Sequence, residues 1–125
     1  AWASDVVMKR RVLLVEDEDL IRLVGADALE EAGYEVIDAA NAEAALEILN
    51  SASEFNVLFT DIKMPGSMDG IALARLVHER WPDIKILITS GDTWPPKDLI
   101  PEDGRFLPKP YRIERLQGEV DDLLG

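Results

Sequence analysis

Asp61 follows the apolar run Val57-Leu58-Phe59-Thr60 and precedes Ile62-Lys63-Met64-Pro65. Such a run reads as a buried strand, and the proline stops it, so the carboxylate lies at the strand's carboxyl end. The pattern recurs along the chain. Arg11 to Val15 runs into Glu16-Asp17-Glu18-Asp19, Lys85 to Thr89 into Ser90-Gly91-Asp92, and Arg105 to Pro108 into Lys109-Pro110. Parallel packing of these strands gathers Glu16, Asp17, Asp61, Thr89 or Ser90, and Lys109 at one edge. Three neighbouring carboxylates repel one another and stay ionised only beside a cation. All-oxygen ligands suit Mg²⁺ or Mn²⁺. Lys109 brings a compact charge suited to a phosphoryl oxygen, and Ser90 or Thr89 brings a hydroxyl donor. A carboxylate can act as nucleophile and become an aspartyl phosphate. The cation and the lysine would stabilise charge on the group in flight. The chemistry these residues fit is phosphoryl transfer to Asp61.

Alternating elements must position them. Leu20 to Ala32 reads as a first helix, with Asp19 as N-cap, Gly33 past its end, and Ile21, Val24 and Ala28 on one face. Glu35 to Ala39 is a second strand. Asn41 caps a second helix through Ser51, with Ala45, Ile48, Leu49 and Ala52 as its inner stripe. Phe55 to Asp61 is the third strand, and Gly66 and Ser67 make the following loop flexible. Asp69 caps a third helix ending near Trp81, with Leu73, Leu76 and Val77 inward and Pro82 as its stop. Pro95, Pro96 and Pro101 allow at most a short helix after the fourth strand. Arg112 to Leu124 is the last helix, with Ile113, Leu116, Val120 and Leu123 on one face. Five strands alternating with helices imply an α/β fold, a doubly wound parallel sheet with right-handed connections. In such sheets ligands bind at the carboxyl edge.

The 125 residues suffice for one domain with a real core. Residues 1–9 show no clean period and read as a flexible tail ahead of a domain spanning 10–125. Cysteine is absent, which excludes disulfides and thiolate metal sites, and His78 alone cannot build a histidine-rich zinc site. Acidic residues number 25 against 13 basic ones, for a net charge of −12. That balance favours solubility and opposes nucleic-acid binding. No apolar run approaches bilayer length and no secretory segment follows Ala1, so the cytoplasm is the expected compartment.

The motifs resemble the receiver domain of two-component response regulators from about Arg11 to Leu124. The resemblance rests on Val15-Glu16-Asp17, Asp61-Ile62-Lys63-Met64-Pro65, Met68-Asp69-Gly70, Ile88-Thr89-Ser90-Gly91, and Phe106 with Lys109-Pro110, in this order. It implies a flavodoxin-like (βα)5 sheet of strand order 2-1-3-4-5. It implies a bacterial phosphorelay module whose Asp61 accepts a phosphoryl group, with Mg²⁺, from a histidine kinase or histidine phosphotransfer protein. Glu16, Asp17, Asp61 and the backbone carbonyl of Lys63 match the metal positions. Ser90, ahead of Thr89, matches the switch hydroxyl, and Phe106 matches the aromatic that moves with it. A cis peptide is implied at Lys109-Pro110. Such a domain is a signalling module, not an enzyme: it promotes only its own phosphorylation and dephosphorylation. It passes the signal to an unidentified protein target, as a monomer or weak homodimer.

Two departures are visible. Gly66-Ser67 lengthens the loop after Pro65 by one residue, and the proline-rich stretch from Gly91 to Pro108 predicts a shortened fourth helix. Two other functions fit the fold class less well. An Asp-nucleophile phosphatase needs an acid two residues after the nucleophile, where Lys63 stands. A flavin or nucleotide carrier needs a phosphate-cradling loop where Glu16 to Asp19 would repel phosphate. Lys63 and Asp92, each two residues beyond a strand-end site residue, are expected to flank the pocket mouth and pair across it.

Overall fold

A computed structural model describes residues 9–51 and 54–125. The expected tail, apart from Lys9, and the expected inward Ala52 lie outside the described residues. In chain order the elements are β1 (Arg11–Val15), α1 (Asp19–Glu31), β2 (Glu35–Ala39), α2 (Ala42–Ser51), β3 (Val57–Asp61), α3 (Gly70–Arg80), β4 (Lys85–Ser90), a 3-10 turn (Lys97–Leu99), β5 (Arg105–Pro108) and α4 (Ile113–Leu124). The five strands form one sheet in the order β2-β1-β3-β4-β5, with all neighbours parallel. The expected flavodoxin-like architecture is therefore present, with four α-helices among the described residues. Only the three-residue 3-10 turn stands where the fourth of five would be.

Alternation along the strands splits the core in two. Leu13, Val15, Leu58, Ile86 and Ile88 pack against Ala42, Ala45 and Leu49 of α2 and Leu73, Ala74 and Val77 of α3. Val12, Leu14, Val57, Phe59, Leu87 and Leu107 pack against Ala28 and Leu29 of α1 and Leu116 and Val120 of α4. Every residue of β3 is buried, as a strand covered by helices on both faces must be. Each fully buried Leu, Val or Phe contributes about 1.5–3 kcal/mol, so β1, β3 and β4 anchor the domain.

Local boundaries differ from the expected ones in instructive ways. Asp19 is the first residue of α1, and Glu18 is its N-cap without a side-chain capping bond. Residues Gly25, Ala26, Ala28 and Leu29 are the buried ones of α1, whereas Val24 is 44% exposed. Small residues bring α1 close to the sheet: a Cβ at Gly25 would sit 3.4 Å from Leu14 Cδ2. The larger apolar side chains Leu20, Leu23 and Val24 are turned outward. Phe55 is buried but precedes β3, and β4 extends one residue further, through Ser90. Ile113 is exposed at the start of α4, while Leu116 and Val120 carry its inner face. Asn41 caps α2 as expected, accepting the Ala44 N–H at 2.8 Å. Ser67, expected in a flexible loop, donates a hydrogen bond to Glu43 of α2 at 3.3 Å.

Candidate functional site at the carboxyl edge of the sheet

The register levels the strand ends. Val15 of β1 pairs with Thr60 of β3, Asp61 with Thr89 of β4, and Ser90 with Pro108 of β5. Glu16, Asp61 and Lys109 therefore leave neighbouring strands at one height. Carboxylate oxygens of Glu16, Asp17 and Asp61 lie within 4.8 Å of one another, a spacing that could hold a metal ion. Lys109 Nζ donates to Glu16 Oε1 at 2.7 Å and to Asp61 Oδ2 at 3.1 Å. These groups are buried: the side chains of Glu16, Asp61 and Lys109 are 2%, 9% and 15% exposed. Asp17 is the exposed member of the triad.

The backbone fixes the two buried acids. Ile62 N–H donates to Asp61 Oδ1 at 2.8 Å, and Glu18 N–H donates to Glu16 Oε2 at 3.2 Å. Arg22 of α1 donates to the Glu16 carbonyl at 2.7 Å and to Asp19 at 2.8 Å, which ties the acidic loop to its helix. On the other side, Asp69 caps α3 by accepting the Ala72 N–H at 2.9 Å, and Gly70 N–H donates to the Ile62 carbonyl at 2.8 Å. A Cβ at Gly70 would fall 1.8 Å from the Asp61 carbonyl oxygen. Only glycine permits this approach.

Charge and burial compete here. Burial pushes the Glu16 carboxyl above the ordinary glutamate value, against the Lys109 hydrogen bond that favours its ionised form. Burial alone would lower the Lys109 ammonium, but hydrogen bonds to Glu16 and Asp61 outweigh it and hold the group above the ordinary lysine value. Burial also raises the neighbouring Tyr111 hydroxyl to about 12. One ammonium thus faces three carboxylates, a donor set with room for a further, divalent positive charge.

The two candidate hydroxyls are placed differently. Thr89 Oγ is buried with no hydrogen-bond partner. Ser90 Oγ accepts the Thr93 N–H at 3.2 Å and lies 3.5 Å from Asp92 Oδ1. Neither is bonded to Asp61 in this structure. Lys63 Nζ donates to Asp92 Oδ2 at 2.6 Å. Both residues line, with Asp17, Asp61 and Lys109, a cleft of about 290 Å³. The expected pairing across the pocket mouth is present. Lys63 raises no acid toward the cleft, so the general acid of a phosphatase is missing at that position. Phe106 is half-buried on the α3 side, and its ring meets Trp94 edge-on at 5.1 Å. The Lys109-Pro110 peptide is cis.

Sequence reasoning did not single out Arg22 as a clamp, Thr93 as the donor to Ser90, or Trp94 as the cover of Phe106. An exposed tryptophan between a glycine turn and two prolines is the one signal that could have flagged the last.

Comparison with known proteins agrees with this geometry. The family model described as the response regulator receiver domain matches residues 12–121. The response regulator receiver protein CpdR of Brucella abortus is 39% identical, over 92% of this chain and 97% of its own. The sensor kinase CckA of the same organism is 38% identical over 98% of this chain, which spans only 13% of that kinase. The response regulator TrrA of Thermotoga maritima, solved in complex with Mg²⁺ and BeF, superposes with a TM-score of 0.81 at 30% identity, covering 91% of this chain and 98% of its own. With its motifs, its sheet order and its relatives in accord, the chain belongs to the receiver domain family of two-component response regulators.

Proposed function

We propose that this receiver takes a phosphoryl group from a phosphohistidine onto Asp61 and, once modified, signals to a protein target. The observation that carries the reading is Lys109 Nζ held between Glu16 and Asp61 beside the exposed Asp17. Glu16, Asp17, Asp61 and the backbone carbonyl of Lys63 would hold Mg²⁺, which when bound supplies positive charge opposite the transferring group. An Asp61 carboxylate oxygen attacks phosphorus as the bond to the donor's histidine nitrogen breaks. Lys109, already hydrogen-bonded to Asp61 Oδ2, is placed to pass to a phosphoryl oxygen. Ser90 turns its hydroxyl to another, and Phe106 follows the move. Thr89, whose orphaned hydroxyl sits level with Asp61, is the second candidate for that donation.

A histidine kinase or phosphotransfer protein is the donor this reading requires. Beside the cleft, α1 exposes Leu20 and Leu23 at 72% and 56%. Leu20, Ile21 and Val24 line an apolar depression with Pro110 and Tyr111. Such a patch suits docking of the donor's helices. The net charge of −12 opposes a nucleic-acid target. Among the described residues no helix is long and apolar enough to cross a membrane. A cytoplasmic protein, monomeric or weakly dimeric, fits these features.

The test is loading with acetyl phosphate and Mg²⁺, followed by intact mass. The expected outcome is one phosphoryl group on the wild type and none on Asp61→Asn. Equal labelling of the two proteins would refute the assignment.

A further inference from the structure

The stretch from Gly91 to Pro96 runs from the end of β4 to the 3-10 turn that stands in for the expected fourth helix. Asp92 accepts from three side chains: Lys63 at 2.6 Å, Thr93 Oγ1 at 3.3 Å and Ser90 Oγ at 3.5 Å. Thr93 N–H is tied to Ser90 Oγ at 3.2 Å. The next residue, Trp94, is 72% exposed, yet its ring and that of Phe106 meet in a T-shaped pair. Pro95 and Pro96 follow and bring no N–H of their own.

A serine hydroxyl has one proton. Here Asp92 Oδ1, 3.5 Å away, is the acceptor within its reach. The same proton is the one Ser90 would donate to a phosphoryl oxygen on Asp61, so the two bonds exclude each other. When Ser90 Oγ swings to the phosphoryl group, Thr93 N–H also loses its acceptor. Trp94 is joined directly to Thr93 and cannot keep its place over Phe106 independently of it.

We propose that Asp92, Thr93 and Trp94 form a resting-state latch, in which Asp92 holds the Ser90 proton and Trp94 covers Phe106 only while that bond stands. The inference rests on the reading of Ser90 as the donor to a phosphorylated Asp61. It adds Asp92 as a positioning residue that lowers the affinity of the resting protein for a phosphoryl group. At 3.5 Å the Ser90–Asp92 bond is long, so the latch biases the equilibrium without blocking it. Whatever disfavours the loaded state in the free protein must weaken loading by the same factor.

The experiment uses the full chain labelled with 5-fluorotryptophan, with Trp94→Phe identifying the Trp94 resonance. Beryllofluoride with Mg²⁺ is the probe. In the wild type, loading is expected to move the Trp94 resonance. In Asp92→Ala without any ligand, the resonance should already lie toward the loaded position, and half-saturation should need about threefold to tenfold less beryllofluoride. Asp92→Asn keeps an acceptor for Ser90 but no charge for Lys63, and should leave the ligand-free resonance where the wild type has it. A ligand-free Asp92→Ala spectrum identical to the wild type, or no gain in affinity, would overturn the latch. Failure of every protein to take beryllofluoride would instead overturn the phosphoacceptor reading on which the latch rests.

Discussion

Replacing Gly70 with alanine should be among the most damaging small changes available to this domain. The added Cβ would lie 1.8 Å from the Asp61 carbonyl oxygen, 2.7 Å from its carbon and 2.9 Å from Ile62 Cα. All three are backbone atoms of β3 or the residue after it, and no rotamer change can relieve them. The first turn of α3 must instead retreat by more than 1 Å, given that ordinary contacts begin near 3.4 Å. Retreat stretches the Gly70 N–H to Ile62 carbonyl bond, now 2.8 Å, a net loss of about 0.5–1.5 kcal/mol. It disturbs the Asp69 cap, worth about 1 kcal/mol, and adds strain of about 1–3 kcal/mol. The gain from replacing a helical glycine is only about 0.5–1 kcal/mol. The net destabilisation should be about 1.5–5 kcal/mol, read as a lower urea midpoint and a fall in Tm of roughly 6–20 °C. Gly118, inside α4, is the internal control, since a Cβ there meets nothing within 4 Å. Gly118→Ala should stabilise by about 0.5–1 kcal/mol. If Gly70→Ala unfolds within about 0.5 kcal/mol of the wild type, the close approach of α3 to Asp61 is not as described.

Lys109→Ala should bind Mg²⁺ yet lose phosphorylation, and should melt lower than the wild type, because two buried carboxylates lose their counter-charge; weak Mg²⁺ binding with normal phosphorylation would reverse its role. Mg²⁺ should raise the Tm of the wild type by mass action, and Asp17→Asn should blunt the gain. Because the folded Glu16 carboxyl titrates above its ordinary value of 4.5, its contribution to stability without metal is full below that value and is lost as pH rises through the raised pKa. Melting curves in EDTA should show that loss and Glu16→Gln should flatten it, while the Mg²⁺ gain should grow over the same interval. Lys63→Ala and Asp92→Asn, which keeps an acceptor for Ser90, should each speed loss of the phosphoryl group by about two- to fivefold, the scale of an exposed pair. The double variant should decay no faster than the faster single one; additive acceleration, or slower decay in either single variant, would show that the pair does not gate water.

The strands were legible because β1, β3 and β4 are covered on both faces and read as unbroken apolar runs ending in polar residues. The edge cluster followed from parallel packing alone. The shortened fourth helix was legible from its prolines. The inner face of α1 was not, because Leu20, Ile21, Leu23 and Val24 offer a second apolar stripe beside Gly25, Ala28 and Leu29. Which stripe turns inward was decided by side-chain size against Leu14, a tertiary fact. The Lys63–Asp92 pair could be anticipated from two equal offsets past two strand ends. The tie between Ser90 and Thr93 could not, since it depends on the path of an irregular loop.

The four-residue β5 is also one of the two open borders of the sheet. Its last residue, Pro108, has no N–H to offer, and Arg105 at its start is occupied with Glu119 and Asp122 of α4. A border so short, closed by a proline, is a poor template for another chain's backbone. Backbone pairing through this border is therefore disfavoured, even with no full helix shielding that side. Contacts made on this side would then rest on side chains, where single substitutions can tune them.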